Sequence, residues 1–416
     1  MRAEKNVRSG GRLLVALACL VYFTSYLTRL NFGAVLVEFL NATGLSPDIG
    51  GLIGSALFFS YGFGQLISGF LGDRLPPERI ITVGIGTTVV CNFLFPFLTE
   101  GWMFVAVWAV NGLAQAMFWP PLVRILAANF DGEGYASASS AVITVSQLTN
   151  IAIYLAVPAA IVTLGWRYVF FIPAAVALAV GVVWVIFYAP AVSACKKQSE
   201  PVAEEKNEKR TPQKTKEPLL PLLLSCGMPL ILVAIASQGF LRDGITTWMP
   251  SVLKDLYNLG EASSILMSVM LPIFGIVTIY AVSFLYRRIL RNEVGGAAIF
   301  FLCGALCSVL LYFTFGVGAA FMVIFGSLLV GLMHGINLFL ISYIPGRFAS
   351  RGIVSTVSGI TNAATYIGST LSSYLFAVLA QNIGWSSTIL FWAGVCLLGL
   401  LACFFALRRW NRFVKN

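Results

Sequence analysis

Apolar residues run along this chain in long blocks separated by short polar stretches. About 20 helical residues cross the ~30 Å hydrocarbon core of a bilayer, and blocks of that length recur from end to end. Twelve spans are predicted, over 13–40, 49–72, 80–99, 103–126, 137–162, 168–189, 222–253, 263–286, 295–315, 319–343, 353–380 and 386–407. The pattern predicts an all-α membrane protein of twelve transmembrane helices. Composition agrees. Of 416 residues, 58% are hydrophobic and 11% charged, and the mean hydropathy is +0.86; a soluble domain carries about 25% charged residues.

Charge orients the spans. The formal net charge is +10, which in this setting reads as the positive-inside bias of membrane proteins and not as a nucleic-acid surface. With twelve spans, every basic cluster falls on one side: 2–12, Arg74 and Arg79, Arg124, 196–216, 287–291, Arg347 and Arg351, and 408–415. Both termini share that side, so a multi-pass protein of the cell membrane with cytoplasmic termini is expected. The opposite loops 41–48, 100–102, 316–318 and 381–385 hold no Lys or Arg. The first apolar block is too long for a cleavable signal and lacks a clear small-residue site. The eight cysteines show no metal spacing, the single histidine is His334, and no Walker A motif occurs. No catalytic residue, metal or cofactor is expected. The expected partners are a small anionic substrate and the lipid bilayer, around a monomer.

The chain repeats itself. Gly112-Leu113-Ala114-Gln115 is echoed by Gly331-Leu332-Met333-His334. Gly134, Ser137 and Ser140 are echoed by Gly352, Ser355 and Ser358, and Gly165-Trp166 by Gly384-Trp385, at an offset of 218–219 residues. A Lys/Glu/Pro-rich segment, Cys195 to Pro218, separates six spans from six. The predicted organisation is an N-terminal bundle (1–190), a cytoplasmic linker (191–221) and a C-terminal bundle (222–416). Parallel six-helix halves around a midplane site are a transporter architecture.

All but four of the 27 Lys and Arg lie in the cytoplasmic segments, and Arg167 and Lys254 flank short outer loops. The remaining two, Arg29 and Arg242, lie inside predicted spans. A guanidinium near the bilayer centre costs at least ~2.5–3.5 kcal/mol, which marks a functional site. Pseudo-symmetry would set the two face to face across a central cavity. Two charged forks hold a tetrahedral oxyanion by bidentate hydrogen bonds, and an empty site that keeps two like charges together disfavours return without cargo. The bland alternative is pairing with an acid. Glu38 lies more than two turns from Arg29, and Asp243 adjoins Arg242 and so lies on a different helix face, with a bond across helices left open. Asp243 is the one credible proton-coupling acid, with His334 second. His334 is a substrate-contact candidate because its repeat mate is Gln115.

The segment Gly69-Phe70-Leu71-Gly72-Asp73-Arg74 resembles the G-x-L-x-D-R signature of the major facilitator superfamily. Asp73 is expected to cap or pair with a neighbouring helix end and Arg74 to hold a cytoplasmic gate. Span one (Tyr22 to Phe32), span seven (Leu241 to Pro250), Tyr61-Gly62-Phe63-Gly64, Gln115 to Pro121 and Gly359 to Gly368 resemble the organophosphate:phosphate antiporter family over nearly the whole chain. The resemblance implies the major facilitator fold, with two pseudo-symmetric six-helix bundles rocking about a central site. It also implies that Arg29 and Arg242 bind phosphate and that Tyr26, Tyr61, Gln115, Trp119 and Tyr366 line the cavity. Departures stand beside it: Leu30 and Gln65 replace two lysines of these carriers, and Ser146 or Gln147 stands near the place of a span-five histidine. Fewer auxiliary charges keep less charged substrates open, such as a phosphodiester, phosphonate, carboxylate or sulfonate. The expected function is exchange of a phosphate ester for inorganic phosphate by alternating access. The alternative is proton-coupled transport or export of an organic acid or drug using Asp243 or His334. A non-transporting sensor on the same fold is a further alternative, without a signalling domain in the chain to support it.

Overall fold

The computed structural model describes residues 2–196, 218–259 and 267–415. Residues 197–217 of the expected linker lie outside the described residues, as does the start of the expected eighth span. Among the described residues, ten helices are long and apolar enough to cross a membrane, and Met270–Tyr286 is a shorter apolar helix. Large apolar side chains face outward on nearly every span, Phe59 and Val162 among them. On a water-soluble protein such patches are a liability; here they are the lipid-facing stripe.

The chain divides into two compact units, Met1–Lys214 with Phe348–Ile360, and Thr215–Arg347 with Thr361–Asn416. The first unit contains helices Arg2–Thr43, Pro47–Arg74, Pro77–Leu94, Gly101–Gln115, Trp119–Asn129, Gly132–Leu164 and Tyr168–Lys196. The Pro76-Pro77 pair ends the second span and starts the third, since proline cannot donate onward but suits a first helical turn. The fourth span breaks at Ala116–Phe118 because Pro120 and Pro121 bring no N–H to the preceding turn. Phe32, Phe39, Phe95, Phe104, Trp108 and Phe170 form one aromatic core, with Phe95 and Phe170 stacked at 4.4 Å.

The second unit contains Leu219–Ser225, Met228–Tyr257, Met270–Arg288, Glu293–Phe313, Ala319–Asn337 and most of Val354–Lys415. The expected seventh span, 222–253, is two helices. Gly227 turns left-handed (φ 79°) between them and Pro229 follows, a stop that hydropathy alone does not reveal. The tenth span relaxes into a π-helix at Leu338–Tyr343, just ahead of Pro345. Gly165 and Gly384 end the fifth and eleventh spans at φ 95° and 76°. The Gly-Trp echo therefore records one backbone turn, used once in each half.

Candidate functional site

In the first span, Tyr22, Tyr26 and Arg29 share a helical stripe by their four- and three-residue spacing. Arg29 is 6% exposed, and its guanidinium lies 4.3 Å from the ring centroid of Tyr26 and 4.9 Å from that of Tyr61. Each desolvated cation–π contact contributes about 0.5–2 kcal/mol, so two faces offset much of the ~2.5–3.5 kcal/mol cost of the buried charge. Tyr22 packs on Tyr26 at 5.1 Å and on Trp119 at 5.0 Å. Arg29, Tyr26 and Tyr61 are thus brought together, with Trp119 one ring behind.

The neighbouring stripe is pinned. Ser25 donates to Gln115 Oε1 (2.7 Å), and Gln115 Nε2 donates to the hydroxyls of Thr28 (2.9 Å) and Thr88 (3.1 Å). Asn111 and Asn92 donate to the Thr28 carbonyl at 3.1 and 3.2 Å. Asn31 donates to Asn92 Oδ1 (2.9 Å) and to the Val169 carbonyl (3.1 Å). Interhelical hydrogen bonds average only ~0.6 kcal/mol each in membranes, but together these set the rotation of the helix that carries Arg29. Gln115, expected to line a cavity, is fully buried with both ends of its amide engaged in this network. The network places it behind Arg29, where it orients the arginine-bearing helix.

In the second unit, Arg242 and Asp243 meet despite being adjacent. Arg242 Nε donates to Asp243 Oδ1 (2.6 Å) and Nη2 to Oδ2 (2.9 Å). The two α-carbons face different directions, as adjacent residues on a helix must, but the long arginine side chain reaches back across that angle. Ser369 of the eleventh span donates to the same Oδ2 at 2.5 Å. Glycines allow that approach. A Cβ on Gly239 would collide with the Thr365 carbonyl, and one on Gly368 with the Ala236 carbonyl. His334 is close enough to Arg242 and Asp243 to interact electrostatically with both. Tyr366 is half-buried on the eleventh span, three residues before Ser369.

At the far end of the second span, Asp73 accepts the backbone N–H groups of Ser355 (2.8 Å) and Thr356 (2.6 Å). This carboxylate caps the N-terminus of the eleventh span and meets the positive end of its dipole. Arg74 lies on its own helix, 3.2 Å over the Phe70 ring centroid. Arg124, which the sequence did not single out, donates to the carbonyls of Gly72 and, at 3.0 Å, of Leu75. It thereby occupies carbonyls that the end of a helix leaves open. Ser369 was likewise not singled out, whereas small residues of the eleventh span such as Gly368 permit close helix packing, as expected.

Similar proteins extend this picture. A probable hexose phosphate transport protein of Chlamydia trachomatis is 24% identical over 415 residues, covering 94% of this chain and 89% of that one. The glycerol-3-phosphate transporter of Bacillus subtilis is 26% identical over 419 residues, covering 94% and 90%. A solved proton:xylose symporter matches with a TM-score of 0.71 at 12% identity, over 97% of this chain and 96% of that one. The fold is thus the twelve-helix major facilitator fold. Residues 18–373 match the Major Facilitator Superfamily, and the chain belongs to that family, which places it among multi-pass membrane transporters and not among enzymes.

Proposed function

We propose that the chain is a secondary transporter that exchanges a small phosphate ester for inorganic phosphate by alternating access. Arg29 and Arg242 are its two cationic contacts, with Tyr26, Tyr61, Trp119, His334 and Tyr366 near them. The observation that carries this reading is Arg29, a buried mid-span guanidinium held over two tyrosine faces. Full-length relatives named for hexose phosphate and glycerol 3-phosphate support the ester class. Asp73, capping the eleventh span, is the gate contact that breaks and reforms during transport. Liposomes loaded with inorganic phosphate test the function. Labelled external phosphate should accumulate only when phosphate is present inside, and uptake indifferent to internal anion would reject exchange.

Proton coupling is the second reading, because Asp243 is an acid within a span. Uptake that follows an imposed pH gradient and is lost in Asp243→Asn would favour it. We further propose that both termini and the 191–221 linker are cytoplasmic, as the basic clusters imply. Cysteines introduced at Asp48 and Glu208 should label from opposite sides; labelling from one side would reject the topology.

A further inference from the structure

Among its described residues, the second unit holds two acid–arginine pairs of different character. Glu293 is fully buried and is held by Arg347 Nε (2.7 Å), the Tyr286 hydroxyl (2.6 Å) and Trp410 Nε1 (3.2 Å). Three elements close over that carboxylate, and it serves as a packing strut. Among the described residues, Asp243 accepts hydrogen bonds from Arg242 and Ser369, and its side chain is 33% exposed against 1% for Glu293. It occupies the Nε/Nη2 edge of Arg242, an edge whose fork geometry also suits a phosphate oxygen pair. A small oxyanion arriving at Arg242 therefore meets a carboxylate already in place.

Resting on the anion-transport reading, we propose that Asp243 is a resident counter-anion of Arg242 that substrate must displace, and that it sets the charge of the preferred substrate. Once displaced, the carboxylate stays nearby, tethered by Ser369 and by the seventh-span backbone. Its negative charge opposes the bound anion, and the opposition grows with the charge of that anion. A dianion is penalised more than a monoanion, so the site favours singly charged phosphodiesters over monoesters. Among the described residues, the titratable side chains near Asp243 are Arg242 and His334.

The test measures binding to the purified protein at pH 7.5 with methyl phosphate and dimethyl phosphate. The first is mainly a dianion, because a phosphomonoester has its second pKa near 6; the second is a monoanion. Asp243→Asn should tighten methyl phosphate by about tenfold more than dimethyl phosphate, and Asp243→Glu should keep the wild-type ratio. Asp243→Ser, a second neutral variant, should reproduce the shift and replaces Asp243→Asn if that protein is not monodisperse. An unchanged ratio in the neutral variants, or loss of both probes from a well-folded neutral variant, overturns the proposal. Wild-type protein that binds neither probe and shows no phosphate counterflow overturns the transport reading itself, a result separable from an unchanged ratio.

Discussion

Arg29 in the first span and Arg242 in the seventh are stabilised by different means. Arg29 lies against aromatic faces on a helix fixed from behind by a buried hydrogen-bond network. Arg242 lies against a carboxylate on a helix drawn to its neighbour by glycines. A π face softens a charge without cancelling it, whereas a carboxylate cancels it. The charge of Arg242 is therefore held in reserve by its own neighbour.

The sharpest way to break this comparison is to remove each charge. Arg29→Ala and Arg242→Ala should each weaken phosphate binding at least about 100-fold, since a charge-assisted bidentate contact is lost. Lysine should rescue Arg242 poorly, because the bidentate edge disappears. Calorimetry on the purified variants checks both, and a wild-type affinity for Arg242→Lys would show that fork geometry is unused.

Next come the supports. Gly368→Val should destabilise the protein by about 1–3 kcal/mol through overpacking against the Ala236 carbonyl, read as a lower unfolding midpoint. It should alter binding through Arg242 while leaving the Tyr61 environment unchanged. Gln115→Leu is its counterpart in the first unit. Leaving Ser25, Thr28 and Thr88 short of a partner should cost about 1–2 kcal/mol and weaken phosphate binding several-fold. Full retention of binding in Gln115→Leu would show that Arg29 does not depend on the network.

The smallest contrast lies at the end of the second span. Arg124→Ala uncovers two carbonyls and should slow exchange, whereas Arg74→Ala removes one cation–π contact of about 0.5–1 kcal/mol and should change exchange little. Initial rates in liposomes order the two, and the reverse order would favour Arg74 as the gate contact.

Hydropathy made the spans legible, and the charge pattern exposed Arg29 and Arg242 as exceptions. Local breaks were harder to read. Gly227 ends a helix inside an apolar run by its left-handed backbone, which leaves no mark on periodicity. The Arg242–Asp243 pair stayed open because helical angles describe where side chains begin and say nothing of where a long one ends. Gln115 reads the same from sequence whether it faces a cavity or a buried threonine. Arg124 and Ser369 act through partners 52 and 126 residues away, contacts that only the tertiary fold creates.

The turn at Gly384 also bears on biogenesis. The eleventh span is rich in hydroxyls, including Ser355, Thr356, Ser358, Thr361, Thr365, Ser369 and Ser372, and is a poor candidate to partition into lipid by itself. Within the segment after it, Asn382–Lys415, an 18-residue stretch has a mean hydropathy of 2.5. A tight turn with no Lys or Arg joins the two, so they are suited to leave the translocon as one hairpin, with the greasier arm carrying the polar one into the bilayer.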